Sequence, residues 1–570
     1  MRGPVAPKNA EKKRAGFYIM REKEVFGAPQ EDGSGVQFLY ESDGRLVNSA
    51  RIVGNIQDEE MLSCLKSVEG FRSLVHSIGV SIDAETPEED IEFVFQMYGK
   101  QNLYGGGTAI KLSLKGNGIE QKILLEQIKW SEDDKEPGQI RFRFPKPGQK
   151  AKVSVMLYVQ NGFQVPEQGE EVTPNLTGEA AESMIARSLL SLGNPFRMKK
   201  VIEKAKQGED VTLAFIGGSI TQGAGAVPIH RECYAWKTCC AFKDRFGVGE
   251  NVHYLKAGVG GTPSELGMIR FERDVLRKQE KPDLIVIEFA VNDEGDETKG
   301  VCYESLVRKV LQLPWNPAVI LLFSVFANDW NLQERLSPVG YYYHLPMVSV
   351  RDAVSPQFGL PKEQGGVISR NQFFYDMFHP SNLGHLIMAK CLDYLFEAAD
   401  NSLAGSEDSS ILQEKCTPVL GCDFQDVQLL DRKSLCQDAV ICCGSFDGTD
   451  CDLQCVEMDL DLTPTPQFPY NWQYRGEELI REMIPFTMEI TCKSLLLVFK
   501  DSGETNAGKA EVYVDHKQIL TANPLENGWT HCNAVILFKG KETKTHNITI
   551  RPAQGEERKN FTILGFGYVK

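Results

Sequence analysis

Apolar and polar residues follow two different patterns along this 570-residue chain. In its middle part, short continuous apolar runs (213–216, 284–289 and 318–326) alternate with amphipathic stretches (234–246 and 267–278). Continuous apolar runs are typical of parallel strands that are buried on both faces, and the amphipathic stretches are typical of the helices that cover them. We therefore expect an open parallel sheet of about five strands between helices.

The regions on either side of this middle part alternate apolar with polar residues, as antiparallel strands do. The alternation is found in 108–114, 139–144 and 152–159, and again in 486–491, 495–499, 510–514, 534–538, 547–551 and 561–568. We predict an α/β fold class with a central three-layer domain flanked by two all-β, jelly-roll-like sandwiches. The predicted limits are an N-terminal sandwich over 1–175, the α/β domain over 176–400, a linker over 401–415 and a C-terminal sandwich over 416–570.

Ser219 follows the first central strand and two glycines, which allow a sharp turn at the strand end. A serine hydroxyl becomes a nucleophile only when a base takes its proton, and a third group must hold that base in one tautomer. Asp376 and His379 lie three residues apart on one predicted loop. The carboxylate can reach the imidazole Nδ1 and leave Nε2 facing outward. This spacing predicts Ser219, His379 and Asp376 as nucleophile, base and orienting acid.

Three sources of oxyanion-hole donors follow the central strands. They are the backbone N–H of Ser219, the glycine turn 258–261 and the side chain of Asn292. Each comes directly after an apolar run, and the carboxyl ends of parallel strands form the edge at which open α/β sheets bind ligands. These groups could donate hydrogen bonds to the negatively charged oxygen of a tetrahedral intermediate at that edge.

These blocks together resemble the SGNH/GDSL hydrolase family, whose four named residues correspond to Ser219, Gly261, Asn292 and His379. Gly260 is an alternative to Gly261. The first block reads Gly-Gly-Ser-Ile-Thr instead of the common Gly-Asp-Ser-Leu, a variant that resembles a subgroup rich in carbohydrate esterases. The resemblance covers roughly residues 180 to 400 and implies a flavodoxin-like strand order.

The position of the hydrolase between two β modules is similar to bacterial multidomain carbohydrate esterases of the anaerobic gut. The resemblance implies a serine esterase that removes O-acetyl groups from plant-type oligosaccharide or polysaccharide through an acyl-serine intermediate, without a metal or an organic cofactor. Trp330 and Asn328, after the fourth strand, are predicted to line the acyl or sugar pocket; for Trp330, core packing is the alternative. Two other functions stay open: a lipase, lysophospholipase or thioesterase of the same family, or a glycan-binding protein with an inactive hydrolase domain.

The flanking modules have three candidate roles: binding glycan, completing the rim of the active site, or making contacts in a homo-oligomer. Exposed aromatic rings would favour glycan binding, whereas buried rings would indicate core packing. The candidate rings are Tyr470, Trp472, Tyr474 and Trp529.

Net charge and cysteine content limit the binding partners and the cellular compartment that fit this sequence. The formal net charge of −16 argues against nucleic acid and anionic membrane, so a neutral substrate is expected. The first 21 residues have no apolar signal-peptide core, and no apolar run reaches the roughly 18 residues that span a bilayer. Fifteen cysteines, with adjacent pairs at 239–240 and 442–443, suit a reduced cytoplasm. A zinc site in the cysteine group 436–455 is an alternative to the expected absence of metal.

Overall fold

The computed structural model describes residues 14–30, 32–40, 45–103, 105–166, 174–277, 279–295, 297–403, 405–407, 411, 415, 417–434, 437–477 and 482–570. The chain divides into two compact units. The first comprises Met1–Asn175 and Ile368–Gly384, and the second comprises Leu176–Val367 and His385–Lys570. The segment Ile368–Gly384, which the sequence analysis places in the α/β domain, therefore clusters with the N-terminal strands.

The N-terminal strands form two antiparallel sheets that share one hydrophobic core. We call β1–β9 the N-terminal module. The first sheet has the order β1-β9-β4-β7 and the second has the order β2-β3-β8-β5-β6. The elements are β1 Gly16–Phe26, β2 Ala28–Pro29, β3 Gly35–Tyr40, α1 Arg45–Ile52, α2 Glu59–Cys64, α3 Val68–Leu74, β4 Val75–Ala84, β5 Asp90–Gly99, β6 Ala109–Lys115, β7 Gln121–Leu124, β8 Asp134–Phe144 and β9 Lys150–Val159.

The second unit begins with a six-stranded sheet in the order β10-β15-β14-β13-β11-β12. The last five of these are parallel, and β10 is an antiparallel edge strand. The strands are β10 Leu189–Ser191, β11 Val211–Gly217, β12 Val252–Gly258, β13 Leu284–Glu288, β14 Ala318–Phe323 and β15 Met347–Ser349. When the five parallel strands are numbered as they occur in the chain, their order across the sheet is 2-1-3-4-5, which is the order of flavodoxin-like sheets.

Helices connect and cover these strands, or follow them in the chain. They are α4 Glu179–Ala186, α5 Phe196–Lys206, α6 Ser219–Gln222, α7 Ile229–Glu232, α8 Tyr234–Phe246, α9 Ser264–Phe271, α10 Val301–Leu311, α11 Gln333–Tyr342 and α12 Val350–Val354. The helix α13 Arg370–Phe373 belongs to the first unit, and α14 Asn382–Asn401 follows it in the chain. Every residue of β13 is buried, as expected for a central parallel strand. Every residue of α9 is buried as well, because this helix is covered on its outer side by strands of the C-terminal module.

The C-terminal module, β16–β25, contains an eight-stranded antiparallel sheet and a two-stranded one. The strands are β16 Gln428–Leu430, β17 Ala439–Cys442, β18 Cys455–Val456, β19 Thr465–Pro466, β20 Trp472–Arg475, β21 Phe486–Asp501, β22 Ala510–Val514, β23 Lys517–Ala522, β24 His531–Pro552 and β25 Asn560–Val569. The sequence predicts two strands, 486–491 and 495–499, where the structure has the single strand β21. A register shift between Cys492 and Ser494 lets the strand continue through the polar interruption.

One hydrophobic core joins the C-terminal module to the parallel sheet. Ile269 of α9 shares this core with Leu496 and Val498 of β21 and Leu564 of β25. The chain is therefore a mixed α/β protein with several sheets. Among its described residues, no helix combines the length and the apolar character needed to cross a bilayer.

Candidate active site

Ser219 lies at the carboxyl end of β11, where the strand turns directly into α6. Gly217 is the last residue of the strand, and Gly218 makes the turn with φ −86° and ψ −145°. A Cβ on Gly217 would lie 2.2 Å from the Thr221 Oγ1, so a larger residue does not fit there. The turn leaves Ser219 partly exposed while Ile220 and Thr221 are buried beneath it. The structure thus presents the Ser219 side chain at the edge of the sheet.

Asn292 packs against this turn from the neighbouring strand β13. Its backbone N–H donates to the Phe289 carbonyl at 3.0 Å, which folds the chain back after the strand. The Oδ1 atom of Asn292 is buried and has no hydrogen-bond partner among the described residues. A Cβ on Gly218 would lie 2.1 Å from that atom. The Asn292 amide oxygen is therefore held beside the serine turn without an internal partner, and the amide nitrogen is the atom of this side chain that could donate to a ligand.

We expect Gly218→Ala to displace the Asn292 side chain, because the added methyl group and the amide would occupy the same space. If Asn292 stabilises an oxyanion, kcat for p-nitrophenyl acetate should fall by about 100-fold. Gly359→Ala is the matched control, since a Cβ there would meet open space. Unchanged kcat in Gly218→Ala, with the protein folded as judged by circular dichroism, would contradict this role of Asn292.

The glycine turn after β12 contains the two candidates for the oxyanion glycine, Gly260 and Gly261. The N–H of Gly260 donates to Gln222 Oε1 at 3.0 Å, so it is already engaged. Gly261 has a φ of +69°, and no described residue accepts a hydrogen bond from its N–H. The Gly260 carbonyl accepts from Gln454 Nε2 at 2.8 Å. These contacts favour Gly261 over Gly260 as the oxyanion glycine.

Asp376 and His379 form a pair within one loop of the first unit. The His379 Nδ1 lies 3.0 and 2.9 Å from the two carboxylate oxygens of Asp376. The backbone N–H groups of Phe378 and His379 both donate to Asp376 Oδ1 at 2.8 Å. The same carboxylate therefore closes the turn and binds the imidazole, which explains why a three-residue spacing suits this pair.

The electrostatics of this loop keep Asp376 ionised. Burial alone would raise the pKa of Asp376, but the neighbouring His379 and the Phe378 N–H more than offset it, so the pKa of Asp376 lies below its ordinary value. An ionised carboxylate on Nδ1 holds the proton at Nδ1 and leaves Nε2 as the basic nitrogen. The pair is thus arranged as an oriented base.

Two buried charged residues that the sequence analysis does not predict support the strand ends. Arg270 on α9 is fully buried, and its guanidinium donates to the carbonyls of Gly217 at 2.9 Å and Ala257 at 2.8 Å. Glu288 at the end of β13 is also fully buried and accepts from Thr221 Oγ1 at 3.0 Å. For Glu288 the available signal was a charged residue inside the apolar run 284–289, whereas Arg270 lies among other charged residues in the amphipathic stretch 267–278 and gave no such signal.

His385, in the first turn of α14, has a structural role. His385 is fully buried; its Nδ1 accepts from the Tyr234 N–H at 3.1 Å, and its Nε2 lies 3.0 Å from the Ala224 carbonyl. Both ring nitrogens of His385 are therefore engaged inside the second unit, which indicates a packing role.

Trp330 and Asn328 lie in the loop after β14. The Trp330 ring stacks on Phe326 with centroids 5.6 Å apart and packs on the core of the second unit. Asn328 is exposed, and its Oδ1 accepts from the Trp330 N–H at 3.2 Å. Their predicted place in a substrate pocket stays a prediction.

The four aromatic candidates of the C-terminal module separate into two pairs. Trp472 and Tyr474 are buried in the module's core, whereas Tyr470 and Trp529 are 43% and 45% exposed. Trp529 stacks on His531 with ring centroids 4.4 Å apart, and its Cζ2 lies 2.7 Å from where a Cβ on Gly261 would be. Burial lowers the pKa of His531 to about 4, so its ring is neutral near pH 7. The C-terminal module thus places an exposed aromatic ring beside the glycine turn.

Within the part of the chain that the structure describes, no group of three or more His, Cys, Asp or Glu side chains is placed to hold a metal ion. Each cysteine described there is a free thiol. Cys436, the first of the group considered for zinc, lies outside the described residues.

The doubly wound sheet and the residues at its carboxyl edge resemble an SGNH/GDSL hydrolase of the carbohydrate-esterase kind. Two solved structures match at a TM-score of 0.56, both of a two-domain esterase active on acetylated mannans. One is 25% identical and covers 68% of this chain and 99% of that chain. The other, co-crystallized with mannopentaose, is 24% identical and covers 68% of this chain and 98% of that chain. No protein-family model and no curated protein matches the sequence.

Proposed function

We propose that the protein is a serine esterase that removes acetyl groups from a carbohydrate. The observation that carries this proposal is the set of polar groups that lie together at the ends of β11, β12 and β13. Ser219, the Gly261 N–H and the Asn292 amide follow three neighbouring parallel strands. A carbonyl oxygen that becomes negatively charged needs such donors beside its nucleophile.

In the proposed mechanism, the Ser219 Oγ attacks the ester carbonyl carbon while His379 Nε2 takes the hydroxyl proton. The N–H groups of Ser219 and Gly261 and the Asn292 side chain donate to the oxyanion. His379 then gives its proton to the leaving sugar oxygen, and an acetyl-serine ester remains. Water, deprotonated by His379, attacks this ester; the bond to the Ser219 Oγ breaks, His379 returns the proton to that oxygen, and acetate leaves. Asp376 keeps His379 in the required tautomer throughout, and no step draws on a metal or an organic cofactor.

Carbohydrate is proposed as the alcohol part of the substrate on two grounds. The matched esterase is active on acetylated mannans, and its likeness to this chain extends over nearly its whole length. In this chain, the C-terminal module also places the exposed Trp529 ring beside Gly261. An aromatic face of that kind can pack against the apolar face of a sugar ring. We interpret the two flanking modules as β-sandwiches that belong to the same enzyme.

The test is acetate release from acetylated manno- and xylo-oligosaccharides, run beside p-nitrophenyl acetate and p-nitrophenyl octanoate. We expect the acetylated oligosaccharides and the acetate ester to be cleaved, and the octanoate ester to be a poor substrate. Preferred cleavage of octanoate would instead indicate the lipase or thioesterase alternative. If no ester is cleaved but an oligosaccharide binds, the protein is a glycan-binding protein.

We expect Trp529→Ala to raise KM for the acetylated oligosaccharide by about 3- to 10-fold, since an aromatic contact contributes roughly 1 kcal/mol. Hydrolysis of p-nitrophenyl acetate, which has no sugar ring, should change little. Val440→Ala, which shortens an exposed apolar side chain on β17 of the same module, serves as the control. An equal loss on both substrates would show that Trp529 supports the glycine turn and does not bind sugar.

A further inference from the structure

The two flanking modules each hold one part of the candidate catalytic machinery through a largely buried polar side chain. We propose that Lys23 in the N-terminal module and Gln454 in the C-terminal module are positioning residues for the reaction. This inference rests on the proposed function, because Lys23 would act through the Asp376–His379 loop and Gln454 through Gly261. The β modules would then be parts of the catalytic apparatus and not detachable binding modules.

Lys23 lies on β1, and only 8% of its surface is exposed. Its Nζ donates to the Phe374 carbonyl at 2.8 Å and to the Tyr375 carbonyl at 2.6 Å. It also lies 5.1 Å from the centroid of the Tyr375 ring. These two carbonyls belong to the residues directly before Asp376. One ammonium group therefore fixes the backbone from which the Asp376 carboxylate projects.

The next residue of β1 fixes the other side of the same loop. The Asn382 side-chain amide donates to the Glu24 carboxylate, three residues after His379. Between these two anchors, the Tyr375 N–H donates to the His379 carbonyl at 2.8 Å. The loop is thus bound to β1 before and after the acid–base pair. Because charge-assisted hydrogen bonds in a buried setting are among the stronger ones, Lys23 is well suited to this task.

Gln454 belongs to the loop that leads into β18, and it too is 8% exposed. Its Oε1 accepts from the Cys532 N–H at 3.0 Å, so its Nε2 must face the other way. That nitrogen donates to the Gly260 carbonyl at 2.8 Å. The orientation of the Gln454 amide is therefore set by the C-terminal module, and Gln454 in turn holds the carbonyl of the glycine turn.

The Gly260 carbonyl and the Gly261 N–H belong to one planar peptide unit and point in opposite directions. Fixing the carbonyl consequently fixes the direction of the N–H. Glycine at both positions leaves this peptide free to rotate in the absence of such a contact. On the other side of the turn, Gln222 accepts from the Gly260 N–H and donates through Nε2 to Glu457 at 2.9 Å. Gln454 therefore orients the proposed oxyanion donor in advance of substrate binding.

The experiment compares full-length variants at these two positions by kcat and KM for p-nitrophenyl acetate and by thermal midpoint. Lys23→Met removes the donor but keeps an unbranched chain, and Lys23→Arg restores donors to both carbonyls. Gln454→Glu keeps the shape and the acceptor toward Cys532 but replaces the donor toward Gly260 by an acceptor. The controls are Lys150→Met and Gln518→Ala, which change exposed residues of the same two modules.

We expect Lys23→Met and Gln454→Glu each to lower kcat by about 10- to 100-fold with KM changed less than about 3-fold. Lys23→Arg should recover part of the loss, and both controls should match the wild type. Misplaced catalytic groups lower kcat without weakening substrate binding, whereas a purely structural role would lower only the thermal midpoint.

Each variant tests the role of the module in which the substituted residue lies. Wild-type kcat in Lys23→Met or Gln454→Glu, or a loss of kcat that merely follows the unfolded fraction at the assay temperature, overturns the inference for that residue. Such a result would leave the proposed function intact as long as the wild type hydrolyses the ester. If the wild type itself hydrolyses neither p-nitrophenyl acetate nor acetylated oligosaccharide, it is the proposed function that fails.

Discussion

Ser219→Ala is expected to lower kcat on every ester by at least about 10⁴-fold, because the variant has no nucleophile with which to form the acyl-enzyme. KM should change much less, since the proposed donors of Asn292 and Gly261 are left unchanged by the substitution. The residual rate would come from direct attack of water on the ester carbonyl, with these donors stabilising the oxyanion. Steady-state kinetics on p-nitrophenyl acetate and on an acetylated oligosaccharide measure both parameters.

The protein itself should stay folded in this variant. Ser219 is the first residue of α6 and is only partly buried, so loss of its hydroxyl leaves the core beneath it intact. Ser73→Ala, which removes an exposed hydroxyl from α3, controls for unspecific effects. Retention of more than about a tenth of wild-type kcat by folded Ser219→Ala would exclude Ser219 as the nucleophile.

Asp376→Asn is expected to lower kcat by about 10⁴-fold with little change in fold. The asparagine side chain can still accept from the Phe378 N–H, but its amide cannot hold the proton on His379 Nδ1 as a carboxylate does. The imidazole then presents the wrong tautomer to the substrate. The rate of the variant should rise with hydroxide concentration, because hydroxide can take the Ser219 proton that the misprotonated His379 cannot accept.

The same variant should change the response of stability to acid. In the folded protein the pKa of Asp376 lies below its ordinary value, so the unfolded chain takes up this proton first as the pH falls. The stabilisation is thus complete above the ordinary pKa of aspartate and is lost progressively below it. Between about pH 6 and about pH 3 the thermal midpoint of the wild type should therefore fall more than that of Asp376→Asn. A parallel fall in both proteins would contradict the lowered pKa.

Local chemistry made much of the hydrolase predictable from the sequence. The apolar run 284–289 forms the buried strand β13, since a parallel strand covered on both faces has no polar alternation to obscure it. The pairing of Asp376 with His379 is set within one loop and follows from their spacing. The limits of the four predicted segments stay predictions.

Long-range contacts account for what the sequence did not reveal. Lys23 and Phe374 are 351 residues apart, so nothing local indicates that the acid–base loop is bound to β1. The choice between Gly260 and Gly261 depends on Gln222, 38 residues away, and on Gln454, 194 residues away. The hydrogen bonds that Arg270 and Glu288 make at the strand ends form only because the ends of β11, β12 and β13 lie side by side. Such contacts need the folded sheet and cannot be derived from spacing.

The acyl-enzyme is the most direct test of the central claim. The protein would be mixed with an acetylated manno-oligosaccharide, quenched in acid within the first turnover, and digested for peptide mass spectrometry. The account predicts one added acetyl group on the peptide that contains Ser219, and none in Ser219→Ala. Acetate released at the wild-type rate with no acetylated Ser219 peptide at any quench time, or with the acetyl group on another residue, would contradict it.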